Sequence, residues 1–105
     1  MANGKIANGY AKSSASVTSG AGTAISVVFN KIGRVCSMRI INGSFTGNAF
    51  ETLITIPQGF EPLDNVDYLE SYGGKRVILN GNTLYCAENL SSTPLRGSAT
   101  YISAS

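Results

Sequence analysis

From residue 24 onward the hydrophobic positions follow a period of two, broken at short intervals by turn-forming residues. Ile25, Val27 and Phe29 alternate with smaller or polar neighbours, predicting a strand over 24–30 that ends in a turn at Lys31-Ile32-Gly33. The next run, 34–41, sets Cys36, Met38 and Ile40 on one face and Val35, Ser37, Arg39 and Ile41 on the other, and it closes on Asn42-Gly43. Asn-Gly is a strong hairpin signal because both central residues of a type I′ turn need positive φ. After a Gly- and Asn-containing stretch at 44–50, a strand over 51–56 is stopped by Pro57, which has no N–H to give a ladder. Strands are expected over 66–72, 75–79 and 83–87, the last two joined by a hairpin at Asn80-Gly81, with a final strand over 98–103. No segment has the apolar spacing of a helix longer than a turn or two, and Pro94 and Gly97 discourage one starting at Ser91. Seven or eight short strands with turn chemistry between them predict an all-β chain, a compact antiparallel β-barrel or sandwich.

Residues 1–23 are rich in Ala, Ser and Gly and supply few core anchors. They are expected to be a flexible or weakly structured leading segment, with at most one weak strand near 14–18, ahead of a barrel domain over 24–105. Several strands are apolar on both faces. Val28 lies opposite Ile25, Val27 and Phe29, Val35 and Ile41 lie opposite Cys36, Met38 and Ile40, and Val77-Ile78-Leu79 does not alternate at all. One small domain has a single interior, so the second face is expected to meet identical copies.

Charge strengthens that expectation, since only 13% of residues are charged and a chain of 105 residues holds one core. The net charge of +2 comes from scattered Lys and Arg without a basic stripe, so nucleic acid is not the expected partner. No run approaches the roughly 20 apolar residues of a membrane span, and the polar start after Met1 suggests a chain made in the cytosol, with no membrane insertion expected. Without histidine, zinc sites that combine Cys and His are excluded. A Cys36–Cys86 disulfide is geometrically open, but the lack of an export signal favours two buried thiols.

The same lack of histidine removes Ser-His and Cys-His nucleophiles. Glu61, Asp64, Asp67, Glu70 and Glu88 remain as carboxylates, yet Asp67 and Glu70 on one strand face opposite ways. A calcium site at Asp64 and Asp67 lacks the dense Asp and Gly run of calcium loops, and Gly73-Gly74-Lys75 lacks the spacing and following helix of a phosphate loop. Neither enzyme activity nor a cofactor is expected. Recognition is better supplied: Tyr68, Tyr72, Tyr85 and Tyr101 fall in or beside the later strands, with Arg76 and Arg96. Tyrosine offers a ring face to sugar C–H groups and a hydroxyl to their polar edge, while Asp, Asn and Arg bond pairs of hydroxyls.

Two stretches carry a resemblance. Ile56-Pro57-Gln58-Gly59-Phe60-Glu61-Pro62 is similar to a strand-ending corner frequent in tail proteins of phages of Gram-positive bacteria. Ser91-Ser92-Thr93-Pro94-Leu95-Arg96-Gly97-Ser98-Ala99-Thr100-Tyr101 resembles the ending of the head domain of lactococcal siphophage receptor-binding proteins, and the likeness spans roughly 24–103. The resemblance implies an antiparallel barrel head, three copies about a three-fold axis, a virion location at the tail tip or baseplate, and attachment to host cell-wall polysaccharide near the subunit boundary. Arg96 is the residue it carries across by position, and the absence of Trp and His makes tyrosine the substitute at the sugar site. The expected saccharide contacts are Asp67, Tyr68, Tyr72, Arg76, Tyr85 and Arg96. Two alternatives stand beside this reading: a structural tail or baseplate module that binds other virion proteins, and a small glycosidase acting on the same polymer.

Overall fold

The structure, a computed structural model, describes residues 10–15 and 22–105. The described residues form strands and no helix: β1 (Tyr10–Ala15), β2 (Gly22–Ile32), β3 (Val35–Gly47), β4 (Ile54–Thr55), β5 (Val66–Leu69), β6 (Arg76–Asn80), β7 (Thr83–Cys86), β8 (Leu90–Pro94) and β9 (Gly97–Ile102). All pairings are antiparallel. They do not close into the barrel that the resemblance implies. One sheet runs β1-β2-β3-β8 with β9 also on β3, and a second runs β4-β7-β6-β5. The β1 strand lies within the stretch read as a leading segment, and its Ala11 packs against the core; residues 16–18 of the expected weak strand lie outside the described residues.

Asn42-Gly43 is not a turn. β3 continues through it for thirteen residues, pairing with β9 from Val35 to Ile40 and with β8 from Ser44. Ile40 and Phe45 are both buried although an odd number of positions separates them, so one residue must be absorbed without pairing. The register accordingly slips against β2 between Thr23 and Val27. Such a bulge bends a strand and restores its inward face, and here the bend marks the handover from β9 to β8. β8 itself, a segment for which no strand is expected from the sequence, ends at Pro94, where a missing N–H is tolerated.

The two tight hairpins are shifted by a residue from the expected ones. Ile32 pairs with Val35 across Gly33-Arg34, and Asn80 pairs with Thr83 across Gly81-Asn82. In each loop the first central residue is glycine with φ near 60°, and the second is not left-handed, the sign pattern of a type II′ turn.

Between the sheets lies one core, with Phe29, Met38, Ile40 and Phe45 from the first and Val77, Leu79 and Leu84 from the second. The corner 57–60 is a type II turn: Phe60 N–H donates to Pro57 at 3.1 Å and Gly59 sits at φ 93°, as the third turn residue requires. It delivers the Phe60 ring into the core, 6.0 Å from that of Phe29, while the Phe60 carbonyl accepts the Tyr101 hydroxyl at 2.7 Å. Lys31 covers the same ring and donates to Gly59 at 2.5 Å. Val77, Ile78 and Leu79 are all buried within the single chain, so the two-sided apolar run there needs no partner. Three exposed apolar side chains meet on the outer face of the first sheet, where Ile32 pairs with Val35 and Val35 with Ile102, while Leu69 is exposed on the outer side of β5.

Cys36 and Cys86 are unbridged and buried, one in each sheet, and burial raises both thiols above the ordinary cysteine range. The thiolate is the reactive species. A colorimetric thiol reagent is therefore expected to find close to no reactive cysteine in the native protein at neutral pH and two per chain in denaturant; rapid native labelling would contradict this packing.

Candidate functional site

The outer face of the second sheet gathers the residues best suited to recognition. Asp67, Ile78 and Tyr85 form one cross-strand row on β5, β6 and β7, flanked by Arg76 on one side and Asn80 on the other. Arg76 reaches diagonally to Asp67, its Nε and Nη2 lying 2.7 and 2.5 Å from the same oxygen, Oδ2. The Arg76 hydrogen bond holds the Asp67 carboxyl below the usual carboxylate range and raises the guanidinium in turn. Asn80 Nδ2 donates to the Tyr85 hydroxyl at 3.3 Å. These pairs roof Ile78, which is only 7% exposed on this face.

The face is completed from outside the strands. Phe50 presents its ring edge-on to Tyr85 at 5.8 Å and is 63% exposed. Its φ of 66° is left-handed, a conformation that costs a bulky residue roughly 1 kcal/mol or more. The loop around it imposes that geometry: Phe50 N–H donates to Cys86, Ala49 N–H to Asn89 Oδ1 and Asn48 N–H to Glu51 Oε1. The Phe50 ring is thus left largely exposed beside Tyr85.

Beyond the end of this face, Glu70 organises the turn at 70–75. The side chain is 2% exposed and its carboxylate accepts four backbone N–H groups, from Tyr72 at 3.0 Å, Gly73 at 2.5 Å, Lys75 at 3.1 Å and Arg96 at 3.0 Å. Burial alone would raise this carboxyl, but the four bonds outweigh it and hold it below the ordinary glutamate value. Ser71 N–H returns a bond to the Arg96 carbonyl at 3.3 Å, so the turn is stapled to the corner between β8 and β9. At that corner Gly97 has φ 114°, and a β-carbon there would stand 3.3 Å from the Tyr68 ring and 3.4 Å from Ser71 N. The Arg96 side chain donates to the Ile41 carbonyl at 2.8 Å and lies 5.7 Å over the Tyr72 ring.

The six residues expected at a sugar site thus separate. Asp67, Arg76 and Tyr85 share the outer face. Tyr72 and Arg96 form a stacked pair at the neighbouring turn and corner. Tyr68 instead points inward, packed on the core with its hydroxyl buried and unpaired among the described residues, and burial, followed by the charges of Glu70 and Cys86, pushes its pKa well up. Phe50 and Asn80 were not expected there; an aromatic amid turn-forming residues was the only signal for Phe50. The carboxylates once grouped with Asp67 are also dispersed: Glu61 accepts Gly59 N–H at 2.7 Å and Glu88 pairs with Lys75 at 3.2 Å. Elsewhere, a recess of about 150 Å³ lined by Asn30, Lys31, Ile32, Val35 and Ser37 is small beside the roughly 300–1,000 Å³ of ordinary ligand pockets.

No protein-family model, no curated protein and no solved structure matches this chain.

The Glu70 cluster gives a directional pH dependence. Its folded pKa lies below that of the unfolded chain, so its contribution is complete above the free glutamate range near pH ~4.3 and is lost as the pH falls through the folded value. Glu70→Gln, which keeps the shape but removes the charge and replaces an acceptor with a donor, is expected to cost about 2–3 kcal/mol and roughly 10 °C in Tm at pH 7. Thermal melts from pH 7 to pH 3 should show the two proteins converging as the pH falls; a constant gap would show that the carboxylate charge is not what holds the turn.

Proposed function

We propose that this chain is a saccharide-binding head of a phage tail receptor-binding protein, attaching the virion to host cell-wall polysaccharide through the outer face of the β4-β7-β6-β5 sheet. The observation that carries the reading is Phe50, held at φ 66° against Tyr85 beside the Asp67–Arg76 pair. Ring faces and edges for C–H surfaces next to a planar donor and acceptor pair are what a sugar needs, and no part of the arrangement needs a catalytic group. Tyr72 and Arg96 offer a second aromatic and guanidinium contact at the adjacent turn. The resemblance of 56–62 and 91–101 to Gram-positive phage tail proteins supports the virion setting at the tail tip or baseplate. Three copies would meet through the outer face of the first sheet, where Ile32, Val35 and Ile102 are 61%, 51% and 48% exposed. That same row favours the second reading, a structural tail or baseplate module that docks on other virion proteins.

Titration of purified wall polysaccharide from Gram-positive hosts tests the assignment. Tyr85→Ala is expected to weaken binding about tenfold or more, an aromatic contact of about 1.4 kcal/mol. Phe50→Asn should weaken it comparably without lowering Tm, because asparagine accepts the left-handed backbone. Equal binding by Arg96→Ala would leave Arg96 to the corner alone. Unchanged binding by both aromatic variants would end the assignment of this face, and light scattering that reports a single 11.0 kDa chain would end the trimer.

A further inference from the structure

Asp67 and Arg76 are the only charged side chains that strands β4 to β7 carry, and each neutralises the other. Both contacts from the guanidinium fall on Oδ2, so Asp67 Oδ1 and Arg76 Nη1 take no partner among the described residues. The two side chains are 43% and 55% exposed, within reach of a ligand lying on the sheet. From the aromatic side, Tyr85 and Asp67 occupy the same cross-strand row two strands apart, about 10 Å from Cα to Cα at ordinary strand spacing. A sugar ring laid against Tyr85 and Phe50 therefore points its far edge at the open acceptor and donor.

Building on the saccharide reading above, we infer that this face selects an uncharged sugar presenting a vicinal diol, with Asp67 Oδ1 accepting from one hydroxyl and Arg76 Nη1 donating to the next. The pairing decides the charge class. An unpaired arginine is a ready fork for phosphate or carboxylate, but here Asp67 Oδ2 occupies the Nε and Nη2 side of that fork, and the Asp67 side chain is 43% exposed. A phosphorylated or uronate sugar would meet a carboxylate at the position where a neutral sugar meets an acceptor, and that repulsion is a built-in discrimination. A hydroxyl both donates and accepts, so two adjacent hydroxyls satisfy Oδ1 and Nη1 together, whereas an isolated hydroxyl satisfies one of them.

A glycan array carrying neutral hexose, deoxyhexose and N-acetylhexosamine oligosaccharides beside phosphorylated and uronate ones tests this, with a duplicate treated with mild periodate to cleave vicinal diols. The expected result is binding confined to neutral glycans, unchanged between low and 0.5 M salt (~0.5 M being a range where exposed ionic attraction is largely screened), and lost at least tenfold after periodate. Asp67→Asn, which releases the guanidinium, should gain at least tenfold on anionic glycans, and Arg76→Gln should lose at least tenfold on neutral ones. Thermal melts of both variants confirm that the sheet is intact, since each residue is exposed. Preferential binding of anionic glycans by the native protein, or full binding after periodate, would overturn the diol inference and leave the saccharide reading standing. Binding to no glycan on either array would remove the saccharide reading and this inference with it.

Discussion

A single carboxylate holds the two sheets in register at one end. Glu70 follows β5 directly, and its four backbone bonds satisfy three N–H groups of its own turn and one from Arg96, in the corner between β8 and β9. A buried charge is tolerable only when it is fully solvated by the protein, and here the solvent is backbone amide. With that condition met, the turn cannot rotate independently of the corner. Tyr72 is thereby held under the Arg96 guanidinium, and β5 enters its sheet with Asp67 outward and Tyr68 inward. Gly97 belongs to the same constraint, since the Tyr68 ring and Ser71 N occupy the space that any other side chain would need.

Much of the strand pattern was legible from the sequence because alternation reflects a local geometric fact: one face of a strand is inside. Cys36, Met38 and Ile40 alternate in the sequence and are buried in the structure. Asn42-Gly43 and Asn80-Gly81 looked alike, yet only the second lies at a hairpin. What separates them is the company each keeps: Phe45, just past the first, has core to fill and two strands to pair with, so the chain runs on. Ile78 misled for a related reason. Its cover comes from Asp67 and Tyr85, side chains brought beside it by pairing between strands that are distant in the sequence, and no reading of consecutive residues contains that pairing.

The site was only half legible. Asp67, Arg76 and Tyr85 could be named from residue type and strand position, because period two places them on one face once the pairing is in register. Glu70 could not be told from a solvated acid, since its partners are backbone groups whose orientation depends on the turn it creates. Phe50 was hidden by a backbone conformation that aromatic residues rarely adopt. The stretches that carry the resemblance are mostly structural in this chain. The 57–60 turn buries Phe60, and the Leu95-Arg96-Gly97 corner accepts the Glu70 clamp. Neither stretch contributes a strand residue to the outer face of the second sheet.

The two sheets also divide the labour that the proposed function requires. Under that proposal, a sugar lying on the face of Asp67, Arg76, Tyr85 and Phe50 would keep much of its hydration, so one site on one chain would bind weakly. Attachment to a repeating polymer gains from several weak sites held at fixed separation, because every contact after the first is intramolecular and effective concentration replaces affinity. The exposed row of Ile32, Val35 and Ile102 lies on the opposite side of the molecule, on the outer face of the other sheet. Copies that met through that row would all turn their Tyr85 faces outward and leave none of them buried. Were the apolar row on the Tyr85 face instead, association and sugar binding would compete for the same surface. Under the proposed function, the separation of the two faces by the shared core would let a fold this small serve as a multivalent head.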